Sequence, residues 1–386
     1  MEVLFYTSSL GGGGAEKHVQ RVANAIEKMG HQVTVAVARS GGSYERDLSD
    51  EVEMITLSEG WLNSSTWRLM RSVRPLRKYI SEHCPDVVCS VMDHVNVRLL
   101  RALSGLEDPP SAVISVQNNP ERRFGEKAGW RNRLLHWRMQ QSYDEADRIV
   151  ALSQGVAQQL VEMGLANSDR LTVIHNAGLD DEIYEAKEFP INERAVPGEP
   201  LLVACGSLTE QKGYPYLLDA FHRVRNEREA KLWILGEGER RDQVESKIGA
   251  LGLEEEVELL RFRDNPFKFM AAADVFVLSS LWEGFGNVVV EAMACGTSVV
   301  ATDCPHGPGE IIAHEEDGLL VPTANSEALA EALLRVLDDR ELRERLAENG
   351  RERARDFHAA EIGRQYVELF RDLVSEKSAP RPAPQE

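Results

Sequence analysis

Short apolar runs of strand length alternate with amphipathic helical stretches along most of this chain, and the alternation happens twice. In the first half, strands are expected at 1–7, 32–38, 52–57, 86–91, 112–116, 148–152 and 171–174, with a helix at 15–28 inside the opening β-loop-α-β unit. Strands that alternate with helices predict a parallel, doubly wound sheet, because each crossover must return along a face of the sheet. A polar stretch bearing Pro and Gly, EFPINERAVPGEP at 188–200, then breaks the pattern and reads as a linker. The alternation restarts with strands at 201–205, 231–235, 257–260, 275–278 and 298–302 and a helix at 214–225. The expectation is α/β, with a first domain over 1–187, a second over 201–356 and surface helices at 326–337 and 340–355. The last residues, 376–386, are rich in proline and charge and are expected to be a disordered tail.

Bulk properties narrow the class. A chain of 386 residues, 42% hydrophobic, has room for two cores. No apolar run approaches the ~20 residues that span a bilayer, and no signal-peptide pattern opens the chain, so a cytoplasmic protein is expected. Five cysteines, with no C-x-x-C among them, point to neither disulfides nor zinc and read as small core residues. A net charge of −19 argues against nucleic acid as a partner, since phosphate backbones need a cationic face. The charge is uneven, however: residues 61–143 hold 13 basic side chains against 7 acidic ones.

The most informative motif is SSLWEGFGNVVVEAMACGTSVVATD at 279–303. Glu283 and Glu291 stand eight positions apart across a loop with Gly284 and Gly286 and the opening of a helix expected over 287–294. The loop follows the strand at 275–278, and the carboxyl ends of strands are where open α/β sheets bind ligands. Backbone N–H groups of Phe285, Gly286, Asn287 and Val288, with the positive end of the helix dipole behind them, suit a diphosphate. One carboxylate on each side can then accept from sugar hydroxyls, which reads as a nucleotide sugar.

This stretch resembles the retaining glycosyltransferases of family 4, marked by such a pair of glutamates at this spacing. The likeness extends to SLGGGGAEKHVQRVANAI near the N-terminus, DRIVALSQGVAQQL at 147–160, VIHNAG at 173–178 and GSLTEQKG at 206–213. It implies two Rossmann-like doubly wound parallel-sheet domains facing a central cleft, the GT-B plan, with the last helix, 360–375, crossing back to the first domain. It also implies that Glu283 bonds the transferred sugar, that Glu291 bonds the ribose, and that the glycine loop with Gly12, Gly13 and Gly14 faces the donor.

Lys212 sits on the loop after the first strand of the second domain, where a cation can neutralise the leaving diphosphate. Ser207 stands where the family commonly has an arginine, so one of two cations is missing. Arg263, in RFRD, resembles the place where backbone groups read the nucleobase. In HGPGEI, Gly309 stands where arginine is frequent, and Glu310 either bonds the sugar or caps the following helix. The family often places a histidine where this chain reads Gln117 and Asn118, which hydrogen-bond but cannot act as bases near neutral pH. His94 and His18 are the alternatives, each also readable as a packed or surface histidine. No D-x-D or other ligand cluster is present, so neither metal nor cofactor is expected.

The acceptor is open. Trp130, Leu134 and Trp137 fall on one helical face, with Arg131, Arg133 and Arg138 nearby, a composition that suits an anionic membrane surface and hence a lipid-linked saccharide. Packing of the same face on a core is the competing reading, and it leaves a soluble acceptor open. Two rival classes share the fold: a nicotinamide dehydrogenase, whose dinucleotide fingerprint is missing because Glu16 takes the sixth position from Gly11, and a non-catalytic sugar-nucleotide or glycan-binding protein.

Overall fold

The structure, a computed structural model, describes residues 1–11, 13–58, 69–118, 129–191 and 198–378. Gly12 of the glycine loop, Asn119, the basic residues Arg68, Arg122, Arg123 and Lys127, residues 192–197 of the linker and 379–386 of the tail lie outside them. The chain divides into two compact units, one formed by 1–177 with 359–386 and the other by 178–358.

The first unit holds seven strands, β1 (Glu2–Thr7), β2 (Gln32–Val37), β3 (Glu53–Thr56), β4 (Val87–Val91), β5 (Ser111–Val116), β6 (Arg148–Ala151) and β7 (Leu171–Val173). They lie in the order β3-β2-β1-β4-β5-β6-β7, all parallel. Every residue of β4 and β5 is buried, which is why these strands read as unbroken apolar runs rather than alternating ones. Helix Gly14–Lys28 lays Val19, Val22 and Ile26 against this sheet at helical spacing.

Helix Ala359–Ser378 closes the same core. Tyr366 and Phe370 are fully buried, their rings 5.7 Å apart, and Phe370 lies 6.4 Å from Phe5 of β1. The helix runs on to Ser378, so residues 376–378, expected in the tail, are helical.

The second unit holds β8 (Leu201–Cys205), β9 (Lys231–Leu235), β10 (Val257–Leu259), β11 (Val275–Leu278), β12 (Ser298–Asp303) and β13 (Leu319–Pro322), in the order β10-β9-β8-β11-β12-β13, again all parallel. Its core gathers Leu202, Ile234, Val277 and Val300 from one face of the sheet with Leu217, Phe221 and Leu333 from the helices packed on it. Strand β13 is one more than the sequence pattern indicated. It is four residues long and ends in Pro322, which an edge strand tolerates because no neighbour needs its missing N–H.

The division at Ala177 falls before the expected boundary at 187. Gly178 and Leu179 donate their N–H groups to the Phe357 carbonyl, and Asn265 Nδ2 donates to the Ala186 carbonyl, so 178–187 is tied into the second unit. All five cysteines are free; Cys89, Cys295 and Cys304 are buried, Cys205 is half-buried, and Cys84 is exposed rather than in the core.

Candidate active site

In the second unit, the carboxyl end of β11 opens into the loop 279–286, and the carboxyl end of β8 opens into the loop 206–213. The two loops are stitched together. Leu281 N donates to the Gln211 carbonyl at 2.7 Å and Ser279 Oγ to the Lys212 carbonyl at 2.8 Å. Gly213 makes this approach possible: its φ is +60°, and a Cβ there would stand 2.2 Å from the Ser279 carbonyl oxygen.

Glu283 is the centre of the arrangement. It is 6% exposed, and its Oε1 accepts from Lys212 Nζ at 2.6 Å and from Ser280 Oγ at 2.6 Å, while Oε2 accepts from Gln211 Nε2 at 3.2 Å. The Lys212 side chain is only 16% exposed, so this ion pair is largely removed from water. Three of roughly four acceptor sites of the carboxylate are taken, which leaves capacity on Oε2 for an external hydroxyl. Lys212 likewise has two N–H donors beyond the one given to Glu283. Burial, together with the Glu283 charge, pushes the neighbouring Cys304 thiol to about 12, so it stays protonated and unreactive.

Helix Asn287–Cys295 starts directly after this loop. Gly286, with φ +104°, is its N-cap, and no side chain caps the helix. The N–H groups of Asn287 and Val288 have no carbonyl partner among the described residues, and the buried Asn287 Oδ1 is also unpaired. The helix therefore presents free donors and its positive dipole end. Phe285 is buried with its ring edge-on to Phe357 at 5.4 Å, which fixes the loop from below. Glu291, one turn further in, is also 6% exposed.

Other expected residues are placed as follows. Gly284 is part of the loop before the helix. Ser207 is exposed on the loop after β8. Arg263 lies over the Phe269 ring at 5.9 Å, just past β10. Glu310 is the third residue of helix Pro308–Ile311, whose N-cap is Gly307, and Arg353 donates to the Glu310 and Ile311 carbonyls.

In the first unit, Gly13 is the N-cap of helix Gly14–Lys28. Glu16 folds back over this turn, so close that a Cβ on Gly13 would lie 2.2 Å from its Oε2, and burial raises its carboxyl above the ordinary value. A carboxylate at this turn disfavours phosphate and suits sugar hydroxyls. His94 is half-buried in the first turn of helix Asp93–Leu103, after β4. Gln117, 8% exposed, follows β5; its Nε2 donates to Ser115 Oγ at 2.9 Å, and its Oε1 is buried without a partner among the described residues, as is Oγ1 of Thr7 at the end of β1, on the other side of β4. Asn118 is exposed.

His18 is buried, accepts the Ala177 N–H on Nδ1 at 3.0 Å and meets Tyr366 OH through Nε2 at 3.2 Å. Burial, aided by Arg21, drives its pKa down to about 3, which rules it out as a base for catalysis. The Trp130 face does not pack on a core: Trp130, Leu134 and Trp137 are 71%, 42% and 57% exposed, and Met139 is the one buried residue of helix Trp130–Ser142. Arg131 stacks over Trp130 at 5.3 Å, and Arg133 and Arg138 are exposed on the same helix. Sequence reasoning missed Gln211 and Ser280 as partners of Glu283, and Thr7 and Glu16 in the first unit. Gln211 and Ser280 lie inside the motifs already singled out, but their bonds to Glu283 cross from one loop to the other.

Two doubly wound parallel units, the second with a buried acid and lysine at the carboxyl edge of its sheet, have the plan of a GT-B glycosyltransferase. Two family models match in succession, Glycosyltransferase Family 4 over 12–180 and Glycosyl transferases group 1 over 186–353, and the chain belongs to the group 1 glycosyltransferases. An uncharacterized glycosyltransferase of Methanocaldococcus jannaschii is 28% identical over 365 residues, 84% of this chain and 89% of the relative. The GalNAc-alpha-(1->4)-GalNAc-alpha-(1->3)-diNAcBac-PP-undecaprenol alpha-1,4-N-acetyl-D-galactosaminyltransferase of Campylobacter jejuni is 26% identical over 378 residues, covering 97% of this chain and 99% of the relative. Among solved structures, Anabaena HepE in complex with UDP and glucose superposes with a TM-score of 0.79 at 22% identity, over 96% of this chain and 99% of the other; at that identity the likeness is one of fold.

Proposed function

We propose that this glycosyltransferase moves a hexose-type sugar from a nucleotide sugar, UDP- or GDP-linked, to a saccharide acceptor carried on a lipid, with retention of configuration and without a metal, in polysaccharide or cell-surface glycan synthesis. The observation that carries the reading is the buried Lys212–Glu283 pair beside an uncapped helix N-terminus. The free N–H groups of Asn287 and Val288 and the spare donors of Lys212 hold the diphosphate, and Lys212 gains contact strength as the leaving oxygen gains charge. Glu283 accepts from a hydroxyl of the transferred sugar, and Glu291 from the ribose. The acceptor hydroxyl attacks the anomeric carbon on the face the diphosphate leaves from; the C–O bond to phosphate breaks, and a departing phosphate oxygen takes the acceptor proton. No side-chain base is needed, which fits Gln117 and Asn118 at the position where one would be looked for.

The metal-free step rests on the same geometry, since the Asn287 and Val288 N–H groups and Lys212 supply the positive charge that the leaving diphosphate needs. The HepE complex supports a UDP-type donor, and the Campylobacter relative supports an acceptor linked through diphosphate to a polyprenol. The exposed Trp130, Leu134, Trp137 face with Arg131 and Arg133 supports attachment at the inner face of a membrane. The test is incubation of purified protein with UDP- and GDP-hexoses, a polyprenyl-linked saccharide and excess chelator, with the anomeric configuration of the product read by NMR. Retained configuration and undiminished turnover are expected. Loss with chelator that manganese or magnesium restores contradicts the metal-free step, and donor binding with neither transfer nor slow donor hydrolysis makes the protein a non-catalytic binder.

A further inference from the structure

The first unit carries a groove of about 800 Å³ between helices Val73–His83, Asp93–Leu103 and Trp130–Ser142. Among the described residues six arginines line it, Arg71, Arg74, Arg77, Arg98, Arg101 and Arg138, against Glu145 as the one acidic residue. In a chain of net charge −19 this concentration of one sign is not a by-product of composition.

Two of the six are committed to the fold. Arg77 holds the end of helix Asp93–Leu103, donating to the carbonyls of Arg101, Ala102 and Ser104 at 2.7–2.9 Å. Half-buried Arg98 donates to the His94 carbonyl, while its Nε is buried without an acceptor among the described residues. Burial lowers the Arg98 pKa; Tyr6 opposes this, and the nearby charges of Arg138 and Arg101 add to it. The other four, Arg71, Arg74, Arg101 and Arg138, have no carboxylate partner among the described residues. Guanidiniums gathered without counter-charge repel one another, and a multivalent anion relieves that repulsion while meeting their paired N–H donors. A phosphate or diphosphate carries the charge density for several at once; a single carboxylate does not. A long polyanion such as RNA would meet the acidic remainder of the chain. The surroundings of the groove are apolar: Met70, on its lip, is 47% exposed, and helix Trp130–Ser142, which supplies Arg138, also carries exposed Trp130, Leu134 and Trp137.

We propose that this groove is a second ligand site, which takes the phosphate or diphosphate head group of an amphiphile whose apolar portion meets Met70 and the Trp130, Leu134, Trp137 face. It rests on the lipid-linked acceptor reading for the source of the phosphate, and it assigns that phosphate a place apart from the donor site. Calorimetric titration with farnesyl diphosphate, inorganic diphosphate and farnesol tests it, with saturating UDP present so that the donor site of the second unit is filled. Farnesyl diphosphate is expected to bind about tenfold or more tightly than inorganic diphosphate, and farnesol not measurably. Changing Arg74, Arg101 and Arg138 together to Gln is expected to weaken farnesyl diphosphate about tenfold or more while leaving the UDP titration and the melting temperature unchanged, since none of the three side chains holds the fold. Unchanged farnesyl diphosphate affinity in that variant overturns the site, and equal affinity for inorganic and farnesyl diphosphate overturns the amphiphile. Failure of UDP itself to bind contradicts the donor reading, and the diphosphate titrations without UDP then still judge the groove.

Discussion

Lys212 and Glu283 form a largely buried ion pair in the second unit, and in the proposed mechanism stability and chemistry both depend on it. Removing the lysine leaves a carboxylate that is 6% exposed with only Ser280 and Gln211 for partners, so Lys212→Ala is expected to lower stability by about 3–5 kcal/mol as well as turnover by about 100-fold or more. Lys212→Arg separates the two effects: it keeps a charge for Glu283, so the melting temperature largely recovers while turnover stays depressed, because the guanidinium cannot occupy the same place. Full recovery of both would make the pair purely structural. Glu283→Gln keeps the side-chain volume and is expected to spare nucleoside diphosphate binding while depressing transfer, measured by titration and initial rates. The sequence identified both residues and placed them at strand-end loops, but it assigned Lys212 to the diphosphate alone. The 2.6 Å bond to Glu283 depends on Gly213 letting two loops touch, a tertiary fact that no local pattern records.

At the scale of elements, periodicity was sufficient wherever a stretch is buried on one side or on both. Strands β4, β5, β8, β9 and β11 and helices Gly14–Lys28 and Tyr214–Glu227 lie within a residue or two of where the pattern puts them, because their burial is what produces the pattern. Helix Trp130–Ser142 shows where that reasoning stops. Its apolar residues align at helical spacing, yet the stripe faces outward, and amphipathicity alone does not say whether water, lipid or protein covers a face. Trp137→Ala is accordingly expected to leave the unfolding free energy within about 0.5 kcal/mol of wild type, whereas Phe370→Ala, in the core of the first unit, is expected to cost about 3–5 kcal/mol by thermal or chemical denaturation. His18 joins helix Gly14–Lys28 to helix Ala359–Ser378 and gives the first unit a pH signature. Its pKa is about 3 in the folded protein against 6.5 ordinarily, so the unfolded chain binds the extra proton between those values. This contribution to stability is fully present above pH 6.5 and is lost as the pH falls, at about 1.4 kcal/mol per pH unit. A His18→Gln variant is expected to show a flatter stability profile between pH 6 and 4, its slope smaller by about 1.4 kcal/mol per pH unit; an unchanged slope contradicts the assignment.

As a whole, the molecule is two doubly wound units whose chain order differs from their spatial membership, because the last helix belongs to the first unit. The repeated strand and helix pattern made both sheets legible, but not the boundary at Ala177, which is set by hydrogen bonds from Gly178 and Leu179 to Phe357 far along the chain. A chain ending at His358 is therefore expected to lose the cooperative unfolding of the first unit, which lacks Tyr366 and Phe370, and to keep nucleoside diphosphate binding by the second. Retention of two transitions in calorimetry would contradict that membership. The central claim is that the second unit is a nucleotide-sugar site organised by Lys212, Glu283, Glu291 and the N-terminus of helix Asn287–Cys295. Its most direct test is calorimetric titration of UDP and GDP into wild type and into Glu291→Gln. Saturable binding of one nucleotide, weakened about tenfold or more in Glu291→Gln with an unchanged melting temperature, is the predicted result; no binding of either nucleotide, or equal affinity in the variant, would contradict it.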